Sequence, residues 1–236
     1  MRPELPQLHV RRRWGWIVGG WLLALLAGVL LALPVMHTGY WHTGAPWEHG
    51  MLRAMHTRLP LALDLVMLSL PWLGTNITLV PLSLTISGIA LARRRADIAR
   101  QVMVVQLGAW ALNPLLKELL ARPRPELWEH RGQYAFASYP SGHAITSIAV
   151  LLTYVHLLHR ERGWRWPYPI ALSLIVVSLY SRLYLGVHWP WDVVAGVVMG
   201  VIWLAATLIA FGTREGGARG RPYSGRASGV TPVARE

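Results

Sequence analysis

The chain has 236 residues, 53% of them hydrophobic, and a net charge of +12 from 23 Lys plus Arg against 11 Asp plus Glu. The apolar residues fall in long uncharged runs, which excludes a soluble globular fold. The arginines cluster beside those runs rather than among aromatics on a soluble domain, which excludes a nucleic-acid binder. With no cysteine, disulfides and thiolate metal sites are excluded as well.

In chain order, residues 1–15 are a basic cytoplasmic N-terminus with RRR at 11–13 followed by Trp14. The uncharged run 14–36 is longer than a signal-peptide core and no small-x-small cleavage site follows, so it predicts an uncleaved first span over 16–36. Residues 37–75 then form an outer loop. Its stretch 59–73 (PLALDLVMLSLPWLG) holds Asp64 between Pro60 and Pro71 and is too short to cross, so it reads as an interfacial or re-entrant segment. Further spans are predicted over 76–92, 98–116, 142–158, 167–186 and 191–212. Gln106 and Asn113, seven apart on the third span, are expected to bond between helices. Residues 213–236 are rich in Gly, Arg, Ser and Pro and read as a disordered basic tail.

Arginine clusters at 11–13, 93–95, 160–165 and 214–235 mark the cytoplasmic side. Six crossings then put both termini in the cytoplasm, whereas a seventh at 59–73 would place the first cluster outside. Tryptophans are expected at the two interfaces: Trp14, Trp16, Trp164 and Trp166 inside, Trp41, Trp47, Trp189 and Trp191 outside. The fold class is therefore all-α: a six-span transmembrane bundle over 16–212, in the cell membrane, with its polar groups on the extracytoplasmic face.

Three polar clusters share that face. KELLARPRP (117–125) ends the third span, YPSGHA (139–144) opens the fourth, and SRLYLGVHWPWD (181–192) joins the fifth to the sixth. Lys117, Arg124 and Arg182 gather where positive charge is normally sparse, and a phosphate is the anion that fits such a set best. Lys117 is the chain's one lysine. The backbone N–H groups of Ser141, Gly142 and His143 open a helix and point at an anion, with Gly142 permitting close approach. His188 and Asp192 are four apart, so the carboxylate reaches one ring nitrogen and leaves the other with a free lone pair, an activated nucleophile beside bound phosphate.

K-x6-R-P (Lys117, Arg124, Pro125), P-S-G-H (140–143) and S-R-x5-H-x3-D (Ser181, Arg182, His188, Asp192) resemble the three-part signature of the type-2 phosphatidic acid phosphatases, membrane lipid phosphatases that share a core with vanadium haloperoxidases. ARPRP holds two Arg-Pro pairs; only Arg124 gives the six-residue gap, so Arg122 is the weaker candidate. The resemblance implies that His188 attacks phosphorus to form a phosphohistidine, oriented by Asp192. It implies that His143 protonates the leaving oxygen and then activates water, while Lys117, Arg124, Arg182, Ser141 and Gly142 hold the phosphate oxygens. The expected activity is hydrolysis of a lipid phosphate or diphosphate, such as undecaprenyl diphosphate, phosphatidylglycerophosphate or phosphatidic acid, with no metal and no cofactor. The alternatives are a lipid phosphotransferase using the same histidine and a lipid or anion transporter with an unreactive phosphate site. A haloperoxidase has no use for the spans, and His37, His42, His49 and His56 lack the spacing of a metal site. The partners expected are the bilayer and a lipid phosphate, not nucleic acid; oligomeric state is not legible.

Overall fold

The computed structural model describes residues 5–56, 59–131 and 136–212, with side chains from residue 13 onward. The tail 213–236 lies outside the described residues. All regular structure among those described is helical: α1 (Leu5–His37), α2 (Pro46–Met55), α3 (Leu61–Ser69), α4 (Asn76–Ala92), α5 (Ala96–Leu120), α6 (Gly142–Thr146), α7 (Leu152–Arg162), α8 (Pro167–Tyr184) and α9 (Pro190–Gly212). A 3-10 turn, Leu70–Gly74, follows α3, and a π turn, Ser147–Leu151, joins α6 to α7.

Helix ends follow local chemistry. Pro46, Pro167 and Pro190 stand in first turns, where a missing N–H costs nothing. α7 ends at Gly163 with φ +72°, a left-handed cap, with Arg160 and Arg162 in its last turn. There Arg95 grips Glu161 with two hydrogen bonds, at 2.6 and 2.8 Å, tying the start of α5 to the end of α7.

Helices occupy all six stretches predicted as spans. Three of them, Arg13–His37, Gly142–Arg162 and Pro190–Gly212, are long and apolar enough to cross a bilayer; Leu61–Gly74 with Asn76–Ala92, bent by 47°, makes a fourth if that pair is one span. α5 and α8 have the length but carry polar groups inward, including buried Gln101, Gln106 and Lys117 on α5 and Ser178, Ser181 and Arg182 on α8. Leu22, Leu26, Leu30 and Leu33 form an exposed apolar stripe on α1 that suits lipid rather than water. The chain is a multi-pass membrane protein by these helices.

α9 is the central helix, packed along α1 and against α5, α6 and the π turn. Its close approaches rest on glycine. A Cβ at Gly196 would lie 2.5 Å from the Ser141 carbonyl oxygen and 2.8 Å from the Ala144 Cβ, and one at Gly200 would lie 3.1 Å from the Ile145 carbonyl oxygen. This Gly-x3-Gly pair lets α6 lie directly on α9. The core beneath contains Leu79, Val105, Leu112, Ile145, Met199 and Trp203.

Two expectations change. Gln106 does join helices, donating to Asn76 at 3.1 Å and accepting from Ser83 at 2.9 Å. Asn113 does not: its amide packs over Gly142 and its Oδ1 has no hydrogen-bond partner among the described residues. The outer tryptophans also differ from an interfacial belt. Trp41 and Trp189 are buried and Trp47 is exposed, whereas Trp14, Trp16, Trp164 and Trp166 are exposed as expected. Trp41 and Trp189 turn inward because each has a buried partner to cover, as the site shows.

Candidate active site

Three polar clusters converge at one end of the bundle. Lys117 comes from the last turn of α5, Arg122 and Arg124 from the loop after it, and Ser141, Gly142 and His143 from the start of α6. Arg182 comes from the last turn of α8, His188 from the loop after it and Asp192 from the first turn of α9. The charges of Lys117, Arg124 and Arg182 all act on both His143 and His188, and His188 acts on His143 as well, so the five groups lie close together.

The cations are held by backbone. Lys117 is buried and donates to the Ala137 carbonyl and, at 3.4 Å, to that of Ser138. Arg124 donates to the carbonyls of Phe136, at 3.0 Å, and Val187. Arg182 is buried in the α8 terminus. Three positive charges gathered at one end of the bundle, with the Asp192 carboxylate near enough to act on Lys117, make a place that attracts an anion.

His188 lies in the loop outside the spans and is buried, with Nδ1 3.5 Å from Asp192 Oδ2. Burial first, then the charges of Arg124, Lys117 and Arg182, push its imidazole well below the ordinary range, opposed by the Ser138 carbonyl. His188 is thus neutral at pH 7, the form that has a lone pair to give. At 3.5 Å the ring and carboxylate face one another without a closed hydrogen bond. Asp192 Oδ2 also accepts the Trp189 N–H at 2.9 Å, inside its own helix cap.

The α6 terminus differs from expectation in one respect. The Ser141 N–H is taken by the Asp192 carbonyl at 3.0 Å, so this amide is not free for an anion. Gly142 and His143 have no backbone acceptor among the described residues, and the buried Ser141 Oγ and His143 Nε2 have no partner there. Ser141 therefore offers its hydroxyl rather than its amide. The same Ser141–Asp192 bond locks the α6 and α9 clusters together.

Two residues that sequence reasoning missed or demoted lie behind Asp192. Arg122 is fully buried and does not face the cation cluster. It donates through Nη1 to Asp192 Oδ1 at 2.7 Å, through Nη2 to Glu48 Oε2 at 2.7 Å and through Nε to the Trp41 carbonyl at 3.2 Å. Its guanidinium lies between the rings of Trp41 and Trp189, at 5.2 and 5.4 Å. Glu48, also fully buried, comes from α2, in the segment between α1 and α3. The signals available were the first Arg-Pro of ARPRP and the Pro46–Glu48 helix start, neither of which names its distant partner.

Elsewhere, His49 packs edge-on to Trp189 and His56 stacks on Trp128 at 3.8 Å. Among the described residues no three His, Asp or Glu side chains converge on a common point. Asp64 is buried, accepting from the Tyr184 hydroxyl at 2.9 Å and pairing with Arg131.

Comparison with known proteins agrees on the family. The sequence profile of the PAP2 superfamily matches residues 99–215. A decaprenylphosphoryl-5-phosphoribose phosphatase of Mycobacterium tuberculosis is 34% identical over 142 residues, 58% of this chain and 71% of that protein. An undecaprenyl-diphosphatase of Sulfolobus acidocaldarius is 45% identical over 74 residues, 31% of each chain, so the match spans about a third of that relative's length. The crystal structure of a PAP2-type phosphatidylglycerolphosphate phosphatase from Bacillus subtilis superposes with a TM-score of 0.69 at 26% identity, covering 85% of this chain and 98% of that one. With a cation-lined site built from three separate helix ends and relatives of this kind, the chain belongs to the PAP2 superfamily and is a hydrolase of lipid phosphates.

Proposed function

We propose that the protein removes phosphate from a membrane lipid monophosphate or diphosphate at the extracytoplasmic face, through a phosphohistidine at His188 and without a metal. Undecaprenyl diphosphate, phosphatidylglycerophosphate and phosphatidic acid are the substrate candidates. The bundle crosses six times with both termini in the cytoplasm, and the lipid's chains lie along the helices while its head enters the cluster.

The observation that carries this reading is the buried His188 set among three cations and backed by Asp192. A transporter needs to bind phosphate, not to hold a nucleophile. Lys117, Arg124, Arg182, the Ser141 hydroxyl and the Gly142 N–H take the equatorial oxygens. His188 Nε2 bonds to phosphorus while the bond to the leaving oxygen breaks. His143, protonated under the negative field of the bound phosphate, gives its proton to that oxygen. In the second step a water loses a proton to His143 as its oxygen attacks phosphorus. The N–P bond then breaks, and its electron pair returns to Nε2. Phosphoryl transfer draws mainly on positioning and charge stabilisation, which cations and backbone dipoles supply.

The test is phosphate release from a panel of lipid monophosphates and diphosphates by purified protein in detergent. Activity unaffected by chelator and inhibited by vanadate is expected. Release that stops with chelator and returns with a divalent ion overturns the metal-free mechanism; binding of the lipids without release supports a transporter instead.

A further inference from the structure

We propose that Glu48, acting through Arg122, is a positioning residue that sets the orientation and net charge of Asp192, and so the nucleophilicity of His188. The proposal rests on the phosphohistidine reading and assigns a function to the outer-loop helix α2.

The geometry is a closed chain of buried charges. Glu48, Arg122 and Asp192 are each fully buried. Arg122 spends one arm on each carboxylate, both at 2.7 Å, and its third donor on the Trp41 carbonyl. Glu48 is fixed in turn: Oε2 accepts the Ala45 N–H at 2.9 Å and Oε1 accepts the Trp191 N–H at 3.2 Å. The contact with Trp191 reaches into the first turn of α9, beside Asp192. One carboxylate thereby holds both the arginine that grips Asp192 and the backbone that carries it.

The bland role of Glu48 is a helix cap for α2, since its carboxylate accepts the N–H of the N-cap residue Ala45. A cap alone needs one oxygen and no burial. The second oxygen and the ion pair go beyond it.

Charge counting gives the arrangement its purpose. Glu48 and Asp192 against Arg122 leave one net negative charge buried behind His188, opposite the three cations in front of it. When His188 Nε2 takes the phosphoryl group, its ring gains positive character at Nδ1–H, which faces Asp192. A net negative charge behind that N–H stabilises the ring's positive character, so the network favours the intermediate over the free enzyme. Were Arg122 paired with Asp192 alone, the carboxylate would be neutralised and this preference lost. The plane of Asp192 is fixed as well: Arg122 holds Oδ1, and Oδ2 is left facing the imidazole.

The groups facing His188 are Lys117 from α5, Arg124 from the following loop, His143 from α6, Arg182 from α8 and Asp192 from α9. Arg122 and Glu48 stand behind Asp192. Of these groups, the Glu48 variants change Glu48 alone.

In Glu48→Gln the side chain keeps its shape and loses its charge. We expect kcat to fall about 10–100-fold, the usual cost of removing a partner one shell behind a reacting group, with KM changed less than threefold. The acid limb of the kcat/KM profile should move to lower pH, because His188 loses negative field and binds a proton less readily. Glu48→Asp restores the charge and should restore the position of the limb, if not the full rate. A merely structural residue would not move the limb. An unshifted limb with wild-type kcat in Glu48→Gln overturns the proposal while leaving the phosphohistidine intact. Full turnover in His188→Asn overturns the underlying reading instead. Should Glu48→Gln fail to fold, Glu48→Asp decides: a wild-type limb supports the proposal and a shifted one overturns it. Loss of the fold in both variants makes Glu48 a folding residue, which also overturns it.

Discussion

Gly196→Ala probes the link between the α9 packing seam and the chemistry. The added methyl would meet the Ser141 carbonyl oxygen at 2.5 Å and the Ala144 Cβ at 2.8 Å. Real Cβ contacts do not fall below 3.0 Å, so α6 and α9 must part by roughly half an ångström. The obstacle is backbone, so no side chain can swing aside. Overpacking of this kind costs about 1–3 kcal/mol. The displaced segment carries Ser141, Gly142 and His143, and the same shift stretches the Ser141–Asp192 backbone bond of 3.0 Å. A misplacement of about 1 Å in a reacting constellation costs up to ~10²-fold in rate, so half of it should cost about 10-fold. The assay is kcat and KM for phosphate release from a short-chain lipid phosphate in detergent, beside a thermal melt. Gly88→Ala, on a face of α4 with open space around the new methyl, is the control and should match wild type. A Gly196→Ala protein with wild-type kcat and an unchanged melt would refute the claim that α9 packing sets the site's geometry.

Gly108→Ala separates stability from catalysis: its Cβ would lie 2.1 Å from the Trp203 ring, so the melt should drop by an amount equivalent to about 1–3 kcal/mol while kcat of the folded fraction stays within a few-fold of wild type. His188 supplies a pH signature. The unfolded chain takes up a proton there below about pH 6.5, whereas the folded protein, with its imidazole depressed, does not. Stability should therefore fall as pH drops below about 6.5, and a pH series of thermal melts should show that loss reduced in His188→Asn. His143→Ala should slow phosphoenzyme formation from a monoester far more than from a diphosphate, because an alkoxide needs the proton that a phosphate leaving group does without. Quenched-flow rates on the two substrates check this, and equal slowing would leave His143 as a phosphate ligand only.

Much of this molecule is legible in local sequence. Charge-free runs mark the helices, and their arginine borders suggest sides. The residues proposed for the chemistry stand out in sequence because each motif is short and its spacing has a reason, as with His188 and Asp192 around one helix start. What stays hidden depends on contacts between distant segments. Arg122 reads as the weaker candidate beside Arg124, yet the chain turns between them so that Arg124 joins the cation cluster while Arg122 packs against Trp41 and Trp189. Glu48 lies 74 residues from the arginine it holds, and nothing near it in sequence indicates burial. Trp41 and Trp189 read as interfacial because position relative to a span does not tell which way an indole turns. Asn113 read as an interhelical donor, since sequence cannot show that the neighbouring residue on α6 is a glycine with no side chain to bond. The Gly196–Gly200 spacing was there to be read, as a signal of close helix approach.

The account stands or falls on the bond between His188 and phosphorus. Wild-type protein mixed with a lipid substrate labelled in the phosphoryl group should be quenched at alkaline pH within the first turnover and digested for peptide mapping. The account predicts an acid-labile, alkali-stable phosphoryl group on His188, present before steady state and absent in His188→Asn, which should not turn over. Turnover in the wild type with no label on His188, or turnover in His188→Asn, would contradict it.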